Sequence, residues 1–160
     1  MPKTTPLDAA HASIELTYTI NAPRDRVWKA LVSQTAAWWP ASFFTDPRST
    51  GVSIEPGPGG RWVEHWGAGG RHGGVLWYTT LVWNPPHAIE AVGHISPDWG
   101  GPTVSMIKLT LEESGGTTTL RLTDALLGRT SDADLKSKRA GWDELFGVAL
   151  KRHAENSETR

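Results

Sequence analysis

The chain has 160 residues, with 16 Lys and Arg against 17 Asp and Glu, a formal net charge of -1, no cysteine and nine tryptophans. That size suits one domain around one core, and the lack of cysteine excludes disulfides, thiol nucleophiles and thiolate metal sites. The charge balance leaves no concentrated basic face for nucleic acid, and no stretch approaches the ~20 apolar residues that span a bilayer.

Residues 1–11 form a polar leader without the apolar core of a signal peptide, so a cytoplasmic setting is expected. Ile14, Leu16, Tyr18 and Ile20 then alternate with Ser13, Glu15, Thr17 and Thr19, the period of a half-buried strand. Asn21-Ala22-Pro23 stops that strand, and Pro23 suits the first turn of a helix whose Val27, Trp28 and Leu31 share one face. A break near Ser33 and a second short helix precede Trp38-Trp39-Pro40. Trp38 and Trp39 with Phe43 and Phe44 form an aromatic cluster, suited either to a lid or to anchoring the loop on the core.

From Gly51 to Asp124 short alternating runs predict strands near 51–55, 60–66, 75–83, 87–95, 103–112 and 117–125. Eight of the 17 glycines fall between Gly57 and Gly74, where tight reversals are needed. Gly115-Gly116 signals a hairpin. The last segment is a helix of about 24 residues, long for a globular protein. Ser131 or Asp132 caps it, and Leu135, Trp142, Leu145, Phe146, Ala149 and Leu150 form its apolar stripe. The basic Lys136–Arg139 cluster reads as its solvated face. Only the concave side of the sheet is large enough to cover that stripe.

Tryptophan is bulky and carries an N–H that needs a partner when buried. Nine of them point to an irregular lining, such as a cavity with a few polar anchors. Trp62, Glu64 and Trp66 share one strand face. If that face looks inward, Glu64 is a carboxylate between indoles, a candidate general acid or base or an anchor for a ligand hydroxyl or amine. The simpler alternative pairs it with Arg61 or Arg121 at the sheet surface. Trp77, Thr79, Leu81 and Trp83 share the next strand's face. Leu81 and Trp83 read as core, and Trp77 and Thr79 as pocket. Trp142 and Phe146, one helical turn apart, close the pocket from the helix side.

Asp124 shares parity with Leu120 and Leu122, yet a role in turning the chain is the better reading. His65, His72, His87, His94 and His153 have neither an HxH nor a helical i, i+4 spacing, so no metal is expected. No cofactor is expected either. There is no Gly-x-Ser-x-Gly motif, and Gly57-Pro58-Gly59-Gly60 lacks the lysine and helix of a phosphate loop.

This order of strand, helix pair, six antiparallel strands and long helix resembles the α+β helix-grip, or START/Bet v 1-like (SRPBCC), superfamily. Ala22-Pro23-x-x-x-Val27-Trp28-x-Ala30-Leu31 is similar to the opening helix of the activator of Hsp90 ATPase homologue family. Gly59-Gly60-Arg61-Trp62-x-Glu64, Val82-Trp83-Asn84-Pro85-Pro86 and Gly141-Trp142 followed by Leu145 resemble its later signatures. Tyr78 stands where many relatives carry Gly, and Gly93 where they often carry an aromatic residue. The latter implies room beside Ile89 and Ala91.

The resemblance implies a curved antiparallel sheet wrapped around the C-terminal helix, spanning one domain over 12–155 with flexible tails at 1–11 and 156–160. It implies binding of a small hydrophobic or aromatic molecule between sheet and helix, with Trp62, Glu64, Trp66, Trp77, Thr79, Trp142 and Phe146 at the site. Two alternatives stand beside it. One is a cyclase, dehydratase or hydrolase using Glu64. The other is a co-chaperone-like interaction module with a filled interior, for which an Hsp90-type partner follows only by family analogy. A homodimer is a further candidate assembly.

Overall fold

The computed structural model describes residues 9–68 and 73–156. His72 and, of the tails expected at 1–11 and 156–160, residues 1–8 and 157–160 lie outside them. Strand β1 (Ala10–Ile20) leads into helices α1 (Arg24–Ser33) and α2 (Thr35–Trp38). Strands β2 (Ser49–Ile54), β3 (Arg61–Trp66), β4 (Gly74–Asn84), β5 (Ala88–Ile95), β6 (Thr103–Ser114) and β7 (Thr117–Gly128) follow. The chain ends in a continuous helical rod made of α3 (Asp132–Trp142), a π-helical stretch (Asp143–Leu150) and α4 (Lys151–Asn156).

The strands form one antiparallel sheet in the order β1-β7-β6-β5-β4-β3-β2. β1 starts before the expected domain boundary, since Ala10 pairs with Gly128 and His11 with Leu127. Pro23 precedes the first turn of α1 instead of lying within it, as the helix's N-cap. Ser131 caps α3 by a reciprocal capping box with Asp134, which satisfies two otherwise orphaned groups.

The core lies between the inner face of the sheet and the rod. Ile14, Leu16 and Ile20 from β1, Leu109 and Leu111 from β6 and Leu120 and Leu122 from β7 meet Leu145, Phe146, Ala149 and Leu150. Gly147 is needed for that approach, because a Cβ there would lie 2.8 Å from the Tyr18 ring. The Tyr18 hydroxyl then donates to Asp143 at 2.8 Å, tying β1 to the start of the π-helical stretch. Burial, together with Asp143, pushes the Tyr18 phenol well above its ordinary range.

Two bulges reset the alternation of β4. Trp62 pairs with Tyr78 but Val63 with Leu76, leaving Trp77 as the extra residue. Thr80 pairs with Ala91 but Val82 with Glu90, leaving Leu81 extra. Each bulge bends the strand and shifts its parity. Tyr78 and Thr80 therefore point inward, where Thr79 was expected, and Leu81 is 46% exposed, not core. Trp83 is half-buried with its edge against Trp28, ring centroids 5.1 Å apart.

Candidate functional site: a cavity with a polar floor

A cavity of about 370 Å³ opens between the sheet and the rod. Trp62, Trp77, Tyr78 and Ser105 line it from the sheet, and Ser137, Lys138, Gly141, Trp142 and Leu145 line it from the helix. Trp39, Phe43 and Thr45 close one side, while His94, Ile95 and Trp99 stand on the other. Five of the nine tryptophans thus share one space. Trp99 is 50% exposed at the rim and stacks on Trp77, with ring centroids 5.7 Å apart.

The aromatic cluster after the first helices divides its labour. Trp38 anchors the segment, its N–H donating to the Ala30 carbonyl at 2.8 Å and its ring packing on Phe146. Trp39 and Phe43 instead face the cavity. The Trp62 indole N–H donates to the Thr80 hydroxyl at 3.0 Å, the hydrogen-bonding role expected of Thr79.

Glu64 is fully buried, yet it does not line the cavity. Its Oε1 accepts from the Thr45 backbone N–H and hydroxyl, each at 2.9 Å, and from Trp66 Nε1 at 3.1 Å. Thr45 does line the cavity, so the carboxylate sits behind it. The expected arginine pairing is also absent. Arg61 bonds Glu55 at 2.6 Å, and Arg121 reaches Glu112 at 3.5 Å. Trp66 lies away from the cavity, under the Arg48 guanidinium at 5.2 Å. Phe146 is a second layer, stacked behind Trp142 at 5.5 Å. Of the seven expected site residues, the cavity brings together Trp62, Trp77 and Trp142.

Its polar end comes from residues that were given other roles or none. Asp124 is fully buried in the body of β7, not at a chain turn. Its Oδ1 accepts from the Ser105 hydroxyl at 2.6 Å, and its Oδ2 from Trp142 Nε1 at 2.9 Å. The Lys138 ammonium stands 3.4 Å from the same Oδ2 and 5.3 Å from the centre of the Trp142 ring. Lys138 therefore departs from the solvated face expected of its cluster. The Tyr78 hydroxyl lies 2.8 Å from Ser105 Oγ. Burial, reinforced by the Asp124 charge and opposed by the Ser105 bond, pushes the Tyr78 phenol far above its ordinary value. Its ring also fills the space over Gly93, where a Cβ would meet it at 2.8 Å. The room expected beside Ile89 and Ala91 is therefore taken by Tyr78.

Among the described residues no three His, Asp or Glu side chains converge as a metal site. Nor is any helix there long and apolar enough to cross a membrane.

The family model described as Activator of Hsp90 ATPase homolog 1-like protein matches residues 21–155. The chain belongs to that family. Solved structures with the fold include the Aha1 dimer from Colwellia psychrerythraea. It is 20% identical with a TM-score of 0.63, covering 92% of this chain and 98% of that one. Ara h 8.0201 is 14% identical with a TM-score of 0.64, covering 91% and 98%. A protein from Rhizobium leguminosarum is 18% identical with a TM-score of 0.70, covering 94% and 99%. At such identities the likeness concerns the fold, a helix-grip α+β domain. No curated protein matches the chain in sequence.

Proposed function

We propose that this member of the Activator of Hsp90 ATPase homolog 1-like family binds a small hydrophobic or aromatic molecule between its sheet and its C-terminal helix. The observation that carries the reading is the cavity of about 370 Å³ walled by five indoles, with the bonded cluster of Tyr78, Ser105 and Lys138 at one end. That size falls in the range of small-molecule sites. Burying apolar ligand surface there yields roughly 25 cal/mol per Å², and the polar end fixes orientation. Trp62, Trp77 and Trp142 are the walls, and Trp99 stacks over the entrance.

Two readings carried from the sequence find less support. Catalysis by Glu64 needs a carboxylate that meets the substrate, and Glu64 lies behind Thr45. The interaction-module reading expected a filled interior, which the cavity does not supply.

Titration with naphthalene, followed by quenching of the tryptophan fluorescence, tests the proposal. Saturable quenching is expected, and Trp99→Ala should weaken it by about three- to tenfold while leaving stability within ~0.5 kcal/mol. No saturable quenching by naphthalene or by a panel of fatty acids and polycyclic aromatics overturns the reading. A two-chain assembly, suggested by the Aha1 dimer, is checked separately by light scattering.

A further inference from the structure

The polar floor of the cavity has a fixed hydrogen-bond direction, and that direction selects a ligand group. The Ser105 hydroxyl has one proton, which it gives to Asp124 Oδ1 at 2.6 Å. Its oxygen can then only accept from Tyr78, 2.8 Å away. Tyr78 spends its single proton on that bond, and Trp142 spends its N–H on Asp124 at 2.9 Å. What remains is asymmetric. The Tyr78 and Ser105 oxygens keep free lone pairs but no proton to give. Lys138, with three N–H groups and one carboxylate partner at 3.4 Å, is the donor left over at this floor, while the Trp39 and Trp77 indole N–H groups stand unpartnered on the cavity walls. Its charge is already balanced by the buried Asp124.

We infer that the cavity selects a neutral hydroxylated aromatic molecule, a phenol, whose O–H donates to the Tyr78–Ser105 pair and whose oxygen accepts from Lys138. An ether of the same shape can accept from Lys138 but gives nothing to the Tyr78 oxygen. A carboxylate brings a second negative charge beside Asp124 and faces two oxygens without protons. The inference rests on the binding reading above and names its ligand class. Because the Tyr78 phenol is pushed far upward, it keeps its proton throughout the neutral range.

Calorimetric titration with naphthalene, 2-naphthol, 2-methoxynaphthalene and 2-naphthoate separates the two proposals. We expect 2-naphthol to bind about tenfold tighter than 2-methoxynaphthalene, and more tightly than 2-naphthoate. In Tyr78→Phe the preference for the hydroxyl over the methyl ether should fall toward twofold, and an unaltered circular dichroism spectrum with a cooperative urea transition reports that the variant is folded. A Lys138→Met variant should lose affinity for 2-naphthol and 2-methoxynaphthalene alike, since both use that donor. If none of the four binds, the phenol inference fails, and the cavity reading fails with it only when the fatty acids and polycyclic aromatics also give no saturable quenching. Equal affinity for naphthol and its methyl ether, or tighter binding of naphthoate, overturns the phenol inference and leaves the cavity reading standing.

Discussion

Asp124 holds three donors at once, Ser105 from β6 and both Trp142 and Lys138 from α3. An acceptor-only group is required there, because every neighbour presents a proton. Asp124→Asn keeps the shape but turns an NH2 toward one of those donors. We expect it to lower unfolding stability by about 2 kcal/mol, read as a lower urea midpoint at unchanged slope. The placement of Asp124 was half legible. Its parity with Leu120 and Leu122 sets it on the inner face, and Ser105 shares parity with Ile107 and Leu109. Lys138 and Trp142 lie four apart on one helix. The Gly115-Gly116 hairpin puts β6 beside β7, and what strand periodicity lacks is the placement of the rod above them. Glu64 shows the converse. Its inward face was readable from Trp62, but the Thr45 loop that covers it leaves no periodic trace.

At the scale of elements, the bulges of β4 decide which side chains reach the cavity. Trp77 and Leu81 carry no residue type that announces an extra position, so alternation read straight through the strand assigns Thr79 and Leu81 to the wrong side. Tyr78 enters the site only because Trp77 is bulged, and Gly93 on β5 lets its ring lie flat. In Gly93→Ala the new Cβ would press on the Trp77 carbonyl and lie 2.8 and 2.9 Å from the Tyr78 ring. A loss of about 1–3 kcal/mol in thermal or urea unfolding is expected, together with weaker binding of the naphthalene probe. The β2–β3 turn makes a separate prediction. Side-chain and backbone hydrogen bonds from Arg61 hold the Glu55 carboxyl at about 2, below its ordinary 4.5. Between those values the unfolded chain binds the extra proton and the folded one does not. The pair's contribution is therefore complete above pH 4.5 and fades as pH falls toward 2. Glu55 is solvent-exposed and the contribution is small. Glu55→Gln should lower the neutral plateau slightly and make the acid limb shallower, the two stability curves converging as pH falls toward 2.

Across the whole molecule, the element order was legible because the strands other than β4 and the bulged start of β2 keep one uninterrupted alternation, and because one long apolar stripe demanded one long concave partner. The strand order was not legible, since periodicity assigns faces and not neighbours. That order has a cost in time. Every rung from Ala10 with Gly128 to Ile20 with Thr118 joins the first strand to the last. Such non-local pairing places the chain among slow, high-contact-order folders, in the millisecond-to-second range. On a ribosome adding ~5–20 residues per second, β1 emerges about 10 s before β7 exists to receive it. For that interval Ile14, Leu16 and Ile20 have no native strand to cover them, and the nascent chain is at its most vulnerable to aggregation.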